Sequence, residues 1–305
     1  MENPKVYIII VHFGQVSDTV ACVESVLKQN ANYEKIVIVN NSENEVDWKK
    51  QLNDQSGKLE FISTEANNGY AFACNTGMQF VSKNYNPDYY WILNNDTEVD
   101  EVSLKTLLNC ASDKINTGLI GSKIYHINKR NVLQGVAGAY NKVLCVTKHV
   151  GKGETDNGQF DEGKFSFDYP LGVSLFVRKA FVDEVGMMSD DYFIYFEELD
   201  WAYRAKKTKW DVGICTASKI YHKGGASTGA MKENRNAKSA LSDFHAIRSR
   251  VLFTNKYLKM YKPFLYLFLG ILFFEMLLRG KAHRIKMIFR LLKNPELNYV
   301  EGEYR

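Results

Sequence analysis

Short apolar runs that end in small polar residues recur along the first hundred residues, and this pattern limits the folds available to the chain. The runs Val6–Val11, Ile36–Val39 and Trp91–Leu93 are separated by helical patterns. This alternation predicts βαβ units and a parallel sheet. Ligands of such sheets bind beyond the carboxyl ends of the strands. The polar residues expected at that edge, and hence at a site for a polar ligand, are Asn40, Ser42, Asn67, Asn94 and Asp96.

The stretch Trp91–Asp100, WILNNDTEVD, carries the most specific chemistry of this group. A buried strand is predicted to end at Asn94, and Asn94 and Asp96 then supply two oxygen donors two positions apart. Such donors suit Mg²⁺ or Mn²⁺ that already carries phosphate oxygens. A turn rich in Asn and Asp is the other interpretation, because both residues are common in turns.

Several classes of protein are excluded by what the sequence lacks. No GxGxxG follows the first strand, where Gly14 stands alone, and no P-loop is present, so neither a Rossmann dinucleotide site nor a P-loop NTPase is expected. The signature of a sugar-nucleotide pyrophosphorylase is also missing after that strand. A net charge of +4 is too small to indicate nucleic acid as a partner. The length of 305 residues suits one large domain or two small ones.

The cysteines and the N-terminus bear on the compartment. The five cysteines are widely spaced, with no CxxC pair. This spacing predicts neither a zinc site nor a disulfide framework, and it favours a reducing compartment. The apolar run at the N-terminus has six residues, which is shorter than the apolar region of a signal peptide. We therefore expect a cytoplasmic catalytic body.

A second chemical stretch, Tyr192–Arg204, places three carboxylates just after an aromatic run. If a helix begins near Glu197, then Glu197, Glu198 and Asp200 lie in its first turn, where the helix dipole favours negative charge. Asp200 and Arg204 would then form an ion pair four residues apart. A carboxylate against aromatic walls has a raised pKa and is a better base, which makes Glu198 the candidate general base.

His222 ends a further apolar run and precedes a Gly-rich segment. A lone histidine at a strand end is commonly structural. Here it could instead complete a metal site with Asp96.

Together these stretches resemble family 2 glycosyltransferases of the GT-A fold, over about residues 5–228. The segments that carry the resemblance occur in the family's order: VYIIIV with IVIVNNS, NNGYAFACNTG, ILNNDTEV, YFEELDWAYR and KIYHKGGAS. The middle stretch HVGKGETDNGQFDEGKFSFDYPLGVSLFVRKA is most similar to bacterial enzymes of the rhamnosyltransferase-like kind that build surface polysaccharides.

The resemblance implies an α/β fold of the GT-A type, with a mostly parallel central sheet flanked by helices and a C-terminal helical extension. Residues 1–228 would form the catalytic domain, with a nucleotide-sugar half over about 1–100 and an acceptor half over 101–228, and residues 229–305 the extension. The nucleotide-sugar site would comprise His12, Asn40, Ser42, Asn67, Gly69, Asn75, Asn94, Asn95 and Asp96. Mn²⁺ or Mg²⁺ would be held by Asp96 and His222 with Asn94 beside them.

The implied reaction is transfer with inversion from dTDP-rhamnose or a UDP-hexose to a hydroxyl of a glycan or polyprenyl-linked saccharide. Glu198 would be the base, with Glu197 or Asp200 as substitutes. The sequence departs from the family at three positions where Asp is usual, because it has Asn40, Asn94 and Glu198. A catalytically impaired protein that binds or scaffolds glycans is the alternative.

The C-terminal region changes character. Phe264–Phe274 is a run of eleven apolar residues before Glu275, short of the ~20 that span a bilayer. From Lys256 to Lys293 there are nine Lys or Arg and one acidic residue. This pattern predicts an interfacial helix on the anionic inner face of the cytoplasmic membrane. Packing of the helices onto the catalytic domain, or a homodimer formed through them, is the other interpretation.

Overall fold

The computed structural model describes residues 4–52, 57–224, 239–300 and 303. The chain divides into two compact units. The sheet unit comprises Met1–Ala139, His149–Asp190 and Glu197–Lys223, and the helical unit comprises Tyr140–Lys148, Asp191–Phe196 and Gly224–Arg305. The predicted boundary at residues 228 and 229 lies outside the described residues. Two short segments from the middle of the sequence belong to the helical unit, which a single boundary does not anticipate.

The sheet unit is built on one mixed sheet, which has nine strands in the described part of the chain. Its strands are β1 (Val6–His12), β2 (Lys35–Asn40), β3 (Leu59–Ser63), β4 (Tyr89–Asn94), β5 (Thr97–Val99), β6 (Thr117–His126), β7 (Lys129–Gly135), β10 (Ser174–Arg178) and β11 (Asp211–His222). The remaining strands, β8 (Ala137–Asn141) and β9 (Val146–Val150), pair with each other in a separate two-stranded sheet.

The strand order is β3-β2-β1-β4-β10-β6-β11-β5, with β7 also paired to β6. Strands β3, β2, β1 and β4 are parallel, as the strand–helix alternation predicts. Strand β10 runs antiparallel to both of its neighbours, β4 and β6. Both halves of the predicted catalytic domain thus contribute to one sheet, and the predicted α/β fold is confirmed.

Helices flank this sheet. They are α1 (Val16–Leu27), the single turn α2 (Trp48–Gln51), α3 (Tyr70–Asn84), α4 (Ser103–Asp113), α5 (Lys179–Val185) and α6 (Glu197–Ala205). Residues of α3, α5 and α6 share one buried apolar cluster with alternate residues of β1, β2 and β4. The fit is close at Gly77 of α3, because a Cβ there would lie 2.6 Å from Cγ2 of Ile9.

The long excursion between β6 and β10 contains β7, β8 and β9, and a buried lysine ties it to the sheet. Lys123 of β6 is 1% exposed, and its Nζ lies 2.9 Å from Oδ2 of Asp156 and 2.5 Å from Oδ1 of Asp161. The Tyr125 hydroxyl also donates to Asp156. A buried lysine needs such partners, because an unpaired buried charge is costly.

The helical unit contains α7 (Ala240–Tyr257), α8 (Lys262–Leu278) and α9 (Ile285–Lys293), which share one apolar core. Ser239 caps α7 by accepting a hydrogen bond from the amide of Ser242 at 3.0 Å. In the described residues, one helical stretch, Lys259–Leu278, is long and apolar enough to cross a bilayer by length and composition. This stretch is longer than the uninterrupted apolar run Phe264–Phe274, and it includes Glu275, whose carboxylate pairs with Arg279 at 2.6 Å.

The prediction that the cysteines form no disulfide framework is wrong for one pair. Cys110 of α4 and Cys215 of β11 form a disulfide, with their Cα atoms 5.9 Å apart. Helix α4 packs on β11, and this contact brings together two cysteines that are 105 residues apart in sequence. Sequence spacing alone carries no sign of such a pairing. Cys22, Cys74 and Cys145 are free and buried.

Candidate active site

The carboxyl ends of the parallel strands form one polar edge. His12 pairs with Asn40, and Asn40 pairs with Ser63, so the last residues of β1, β2 and β3 are in register. Val11 pairs with Asn94 at the end of β4. The sequence accounts for this polar edge, because the apolar runs of β1, β2 and β4 each end in a polar residue and the pairing brings those ends to the same level of the sheet. The strand ends therefore form the polar edge that the strand pattern predicts, and ligands of such sheets bind at this edge.

His12 and Asn95 meet through a threonine. The Asn95 amide donates to Oγ1 of Thr19 at 2.9 Å and to the carbonyl of Phe13 at 3.2 Å. Oγ1 of Thr19 lies 2.7 Å from Nδ1 of His12. His12 and Thr19 thus share a hydrogen bond at the end of β1. Burial lowers the pKa of His12, so its ring is neutral at pH 7.

Asn40 and Ser42 form a closed turn. Oδ1 of Asn40 accepts from the amide and the hydroxyl of Ser42, at 3.1 and 2.8 Å, and its Nδ2 donates to the carbonyl of Asn44 at 2.9 Å. The Asn40 side chain thus shapes the loop after β2. If Asn40 contacts a nucleobase, it does so while its side chain keeps these hydrogen bonds to Ser42 and Asn44.

The next residue, Asn41, is one that the sequence reasoning missed. It is buried, and its Nδ2 donates to Oδ1 of Asn67 at 3.1 Å, while its Oδ1 accepts from Thr64 at 3.0 Å. Oδ1 of Asn67 also accepts from the amide of Gly69, whose φ of 102° favours glycine. Asn41 therefore joins the ends of β2 and β3 to the start of α3. The doubled Asn at the strand end was the available signal.

Asp96 and His222 lie side by side. Strand β5 pairs with β11 so that Thr97 is opposite His222, and this pairing brings Nε2 of His222 to 3.1 Å from Oδ1 of Asp96. Both side chains are largely buried. The Asp96 carbonyl also accepts from the amide of Lys223 at 3.0 Å. The structure thus brings together the two residues predicted to share a metal.

Gln134 of β7 orients His222, and sequence reasoning missed it. Its Nε2 donates to the carbonyl of His222 at 2.7 Å, which leaves Oε1 to accept from Nδ1 of His222 at 2.8 Å. The proton of a neutral His222 therefore sits on Nδ1, and the lone pair of Nε2 faces the Asp96 carboxylate. A metal-binding histidine usually has such a partner. No sequence signal marks Gln134, because its role depends on the pairing of β7 with β6.

The donor set fits a divalent cation that is shared with a ligand. The described residues contain no cluster of three or more His, Cys, Asp and Glu that could hold a metal alone. A carboxylate and an imidazole lone pair are present at Asp96 and His222. The backbone carbonyl of Asn94 accepts from the Thr97 hydroxyl at 2.7 Å, which leaves its side chain as the predicted third donor. A cation held here would need further oxygens from a bound phosphate.

Glu197 and Glu198 open α6, as predicted, and both are poorly solvated. Burial, and then the neighbouring Glu198, hold the pKa of Glu197 well above its ordinary value. Burial raises the pKa of Glu198 to about 7. Oε2 of each residue is buried and has no hydrogen-bond partner among the described residues. Of the two, Glu198 is the more exposed and the one that ionises near neutral pH, so it is the better placed to exchange a proton.

The segment Gly172–Val173 connects Glu198 to the polar edge. A Cβ added at Gly172 would lie 3.5 Å from Oε1 of Glu198, so the absent side chain leaves this carboxylate in contact with the backbone. The Gly172 carbonyl accepts from the Tyr70 hydroxyl at 3.0 Å, and the Val173 carbonyl accepts from the Asn94 amide at 3.1 Å. The predicted base and the Asn94–Asp96 turn therefore flank the same two residues.

Asp200, one of the predicted site residues, helps to hold a loop through an ion pair. Asp200 is fully buried and accepts from Nε of Arg204 at 2.7 Å, as the spacing predicts. Arg204 also donates to the carbonyls of Val185 and Met187. Because its carboxylate is committed to this ion pair, Asp200 is not retained as a substitute base.

Asn75 makes comparable contacts. Its Nδ2 donates to the carbonyl of Met188 at 2.9 Å and to Oδ1 of Asp190 at 2.6 Å, and its Oδ1 accepts from the Met188 amide at 3.1 Å. The side chain thus anchors the loop before Asp191 to α3. These bonds use most of its capacity, so Asn75 supports the predicted nucleotide-sugar site through the loop that it holds.

Comparison with known proteins places this site in a family. Residues 7–183, more than half of the chain, match Glycosyl transferase family 2. The chain belongs to this family. Membership confirms the predicted glycosyltransferase class, and the matched residues include the polar edge, the Asn94–Asp96 turn and Gly172.

Individual relatives are distant. The low-salt glycan biosynthesis hexosyltransferase Agl10 of Haloferax volcanii is 19% identical over 169 residues, which cover 54% of this chain and 52% of Agl10. The chain thus spans about half the length of this curated relative.

Solved structures share the fold at low identity. GalNAc-T7 with UDP, GalNAc and Mn²⁺ aligns with a TM-score of 0.64 and 16% identity, over 87% of this chain and 50% of that one. S. aureus TarS 1–349 in complex with UDP-GlcNAc aligns with a TM-score of 0.60 and 14% identity, over 95% and 80% of the two chains. These likenesses confirm the predicted GT-A fold.

Proposed function

We propose that this chain transfers a sugar from a nucleoside diphosphate sugar to a hydroxyl group of a glycan or lipid-linked acceptor, with inversion at the anomeric carbon. The observation that carries the proposal is the placement of Glu198. It has a raised pKa, it lies against Gly172, and the same two-residue segment contacts Asn94. A base and a diphosphate-binding turn on either side of one short segment suit in-line displacement.

In this mechanism the acceptor hydroxyl gives its proton to the Glu198 carboxylate as its oxygen attacks the anomeric carbon. The bond from that carbon to the diphosphate breaks on the opposite side, so the configuration inverts. Glu197 stays protonated beside Glu198 and keeps a second negative charge away from the attacking oxygen. The polar edge binds the nucleotide portion, with Asn41 and Asn67 holding the loops around it.

Asp96 and His222 would hold Mn²⁺ or Mg²⁺, with Asn94 as the third protein donor. A cation there supplies positive charge for the leaving diphosphate. The protein's own part is to orient the ring, because the hydrogen bond between Nδ1 and Gln134 leaves Nε2 as the nitrogen that faces Asp96. GalNAc-T7, which shares the fold, was crystallised with Mn²⁺, and this supports a divalent metal here.

The donor is proposed from two sources. GalNAc-T7 was crystallised with UDP and TarS with UDP-GlcNAc, which favours a UDP-hexose. The sequence resemblance to rhamnosyltransferase-like enzymes of surface polysaccharide synthesis keeps dTDP-rhamnose as the other candidate. A polyprenyl-linked saccharide is the proposed acceptor, because a lipid-linked acceptor suits the basic, apolar C-terminal helices.

The test is release of nucleoside diphosphate and formation of a new glycosidic bond with a panel of donors, first selected by thermal shift with Mn²⁺. We expect Glu198→Gln to lower transfer about a hundredfold, the scale of general-base loss. Glu162→Gln is the matched control, because Glu162 is an exposed carboxylate paired with Lys164. Near-normal turnover in Glu198→Gln would remove the base assignment. A chain that binds a donor without transferring or hydrolysing it would instead be the glycan-binding alternative.

A further inference from the structure

Helix α8 has one face in a core and another in solvent. Leu265, Leu269 and Met276 are buried with residues of α7 and α9. The opposite face exposes a stripe of large apolar side chains at alternating spacings of three and four residues. We call it the α8 stripe, and it consists of Phe264, Leu267, Ile271, Phe274 and Leu278, which are 38–89% exposed. A continuous exposed apolar row of this kind marks an interaction surface.

The neighbouring helices extend the exposed apolar surface. Met260, in the turn before α8, is 90% exposed, and Phe289 and Leu292 of α9 are also exposed. Helix α9 is amphipathic, because Met287, Ile288 and Leu291 are buried in the helical unit's core while Phe289 and Leu292 are exposed. Helices α8 and α9 thus each bury one side in this core and expose apolar side chains on the other.

Positive charge surrounds this surface. Nine lysines and arginines lie between Lys256 and Lys293, and Glu275, the one acidic residue in that range, is paired with Arg279. The basic side chains occur on both sides of the stripe: Lys259 and Lys262 precede it, and Arg279, Lys281, Lys286 and Lys293 follow it. An apolar row framed by cations is complementary to a surface whose interior is apolar and whose outer groups are anionic.

We propose that the α8 stripe is a docking surface for an anionic lipid bilayer, on which α8 lies in the plane of the interface. A second copy of this chain fits less well, because pairing two stripes would bring cationic helix ends together without acidic partners. A spanning arrangement fits less well, because α8 would have to leave the apolar core that Leu265, Leu269 and Met276 share with α7 and α9. Since the cytoplasmic leaflet is the anionic one, the proposal places the chain at the inner face of the membrane.

The experiment is sedimentation of the full chain with vesicles of phosphatidylcholine, with and without phosphatidylglycerol. We expect binding to the mixed vesicles that falls with added salt, and weak binding to phosphatidylcholine alone. Leu267→Ser with Ile271→Ser should lower the partition coefficient about tenfold for each side chain. Lys259→Glu with Lys293→Glu should lower it about fivefold or more for each lysine.

Matched controls are available in the sheet unit. Ile115→Ser removes an isoleucine that is 74% exposed, and Lys164→Glu reverses an exposed lysine, so both should leave vesicle binding unchanged. Circular dichroism and the thermal shift with a nucleotide sugar verify that each variant is folded, and vesicle binding does not depend on the proposed transfer reaction. Equal binding to both vesicle types, or no effect of the stripe variant, would overturn the proposal. So would a lipid-free dimer that the stripe variant dissociates, or resistance to extraction at alkaline pH, which indicates a spanning helix.

Discussion

Glu198 has two properties that a general base needs, a position against the segment that contacts the Asn94–Asp96 turn and a raised pKa. Burial raises that pKa to about 7. A base must be ionised to accept a proton, so kcat/KM should rise with pH and level off above an apparent pKa of about 7. The measurement is a pH profile of transfer with saturating metal. A profile that is already flat from pH 5 upward would show that no group with a raised pKa limits the reaction.

The same raised pKa has a consequence for stability. A carboxyl group whose folded pKa lies above its unfolded value of about 4.3 stabilises the fold below that value, and this contribution is lost as the pH rises through about 7. Glu198→Gln mimics the neutral form, so at pH 8 it should raise the free energy of unfolding by an amount on the order of 3 kcal/mol. At pH 4 the variant and the native chain should be nearly equal.

Urea denaturation at the two pH values measures this difference. Glu162→Gln should show none, because its carboxylate is exposed. If Glu198→Gln were instead less stable than the native chain at pH 8, the burial of the Glu198 carboxylate could not be unfavourable. A gain in stability together with lost transfer would mark Glu198 as a residue kept for chemistry at the expense of the fold.

Gln134 acts on the proposed metal through His222. Gln134→Leu removes the acceptor for Nδ1–H and frees the ring to adopt the other tautomer, so we expect Mn²⁺ affinity to fall about tenfold to a hundredfold. Titration of Mn²⁺, monitored by its electron paramagnetic resonance signal, measures this without any turnover. Gln159→Leu is a suitable control, because Gln159 is an exposed glutamine in a loop. Unchanged affinity in Gln134→Leu would show that Gln134 serves only to hold β7.

Residue chemistry was predictable from the sequence where it depends on neighbours along the chain. The end of each strand, the first turn of α6 and the Asp200–Arg204 pair all follow from local pattern. Gln134 and Asn41 were missed, because their partners are 88 and 26 residues away. Asn75 matches the motif by position, and only the structure shows which loop its amide holds.

At the scale of elements, the start of α6 is unusual. Tyr195 and Phe196 have φ of 69° and 75°, and non-glycine residues in that region each cost about 1–3 kcal/mol. Contacts within the helical unit hold them: the Ser249 hydroxyl donates to the Ile194 carbonyl at 3.0 Å, and Phe196 packs edge-on against Tyr140. Glu197 and Glu198 follow directly in the chain. The backbone that these contacts hold thus leads directly into both carboxylates.

This predicts a catalytic effect of a residue that is expected to touch no substrate. Ser249→Ala removes the hydrogen bond to Ile194 at a cost of about 1 kcal/mol in stability. If the segment then relaxes, kcat should fall about tenfold while the KM for the donor changes little, since misplaced groups lose orientation. Ser112→Ala is the control, because it removes a comparable exposed bond. Equal losses of kcat in both variants, or none in either, would contradict a positioning role.

At the scale of the whole molecule, the alternation of strands and helices predicted the parallel half of the sheet correctly. It did not predict the insertion of β10 between β4 and β6, because that strand returns after a long excursion whose path depends on Lys123 and its partners. Nor did it assign Tyr140–Lys148 and Asp191–Phe196 to the helical unit. Local patterns show where an element lies in the chain, whereas these features depend on contacts between distant segments.

The disulfide between Cys110 and Cys215 is the longest-range covalent feature of the molecule and links α4 to β11 across 105 residues of sequence. Closing a loop of that length removes entropy from the unfolded chain, so the oxidised protein should be more stable than the reduced one by about 4–5 kcal/mol.

Urea unfolding with and without dithiothreitol measures the difference. The double variant Cys110→Ser with Cys215→Ser should not respond to the reductant, which excludes effects at Cys22, Cys74 and Cys145. If the native chain also fails to respond, the two thiols are not joined in solution, as a chain from a reducing cytoplasm would be expected to behave. A difference of about 4–5 kcal/mol in the free energy of unfolding would instead show that the disulfide forms and constrains the unfolded state. The proposed docking of the α8 stripe on an anionic bilayer would then be the one remaining argument for a cytoplasmic location.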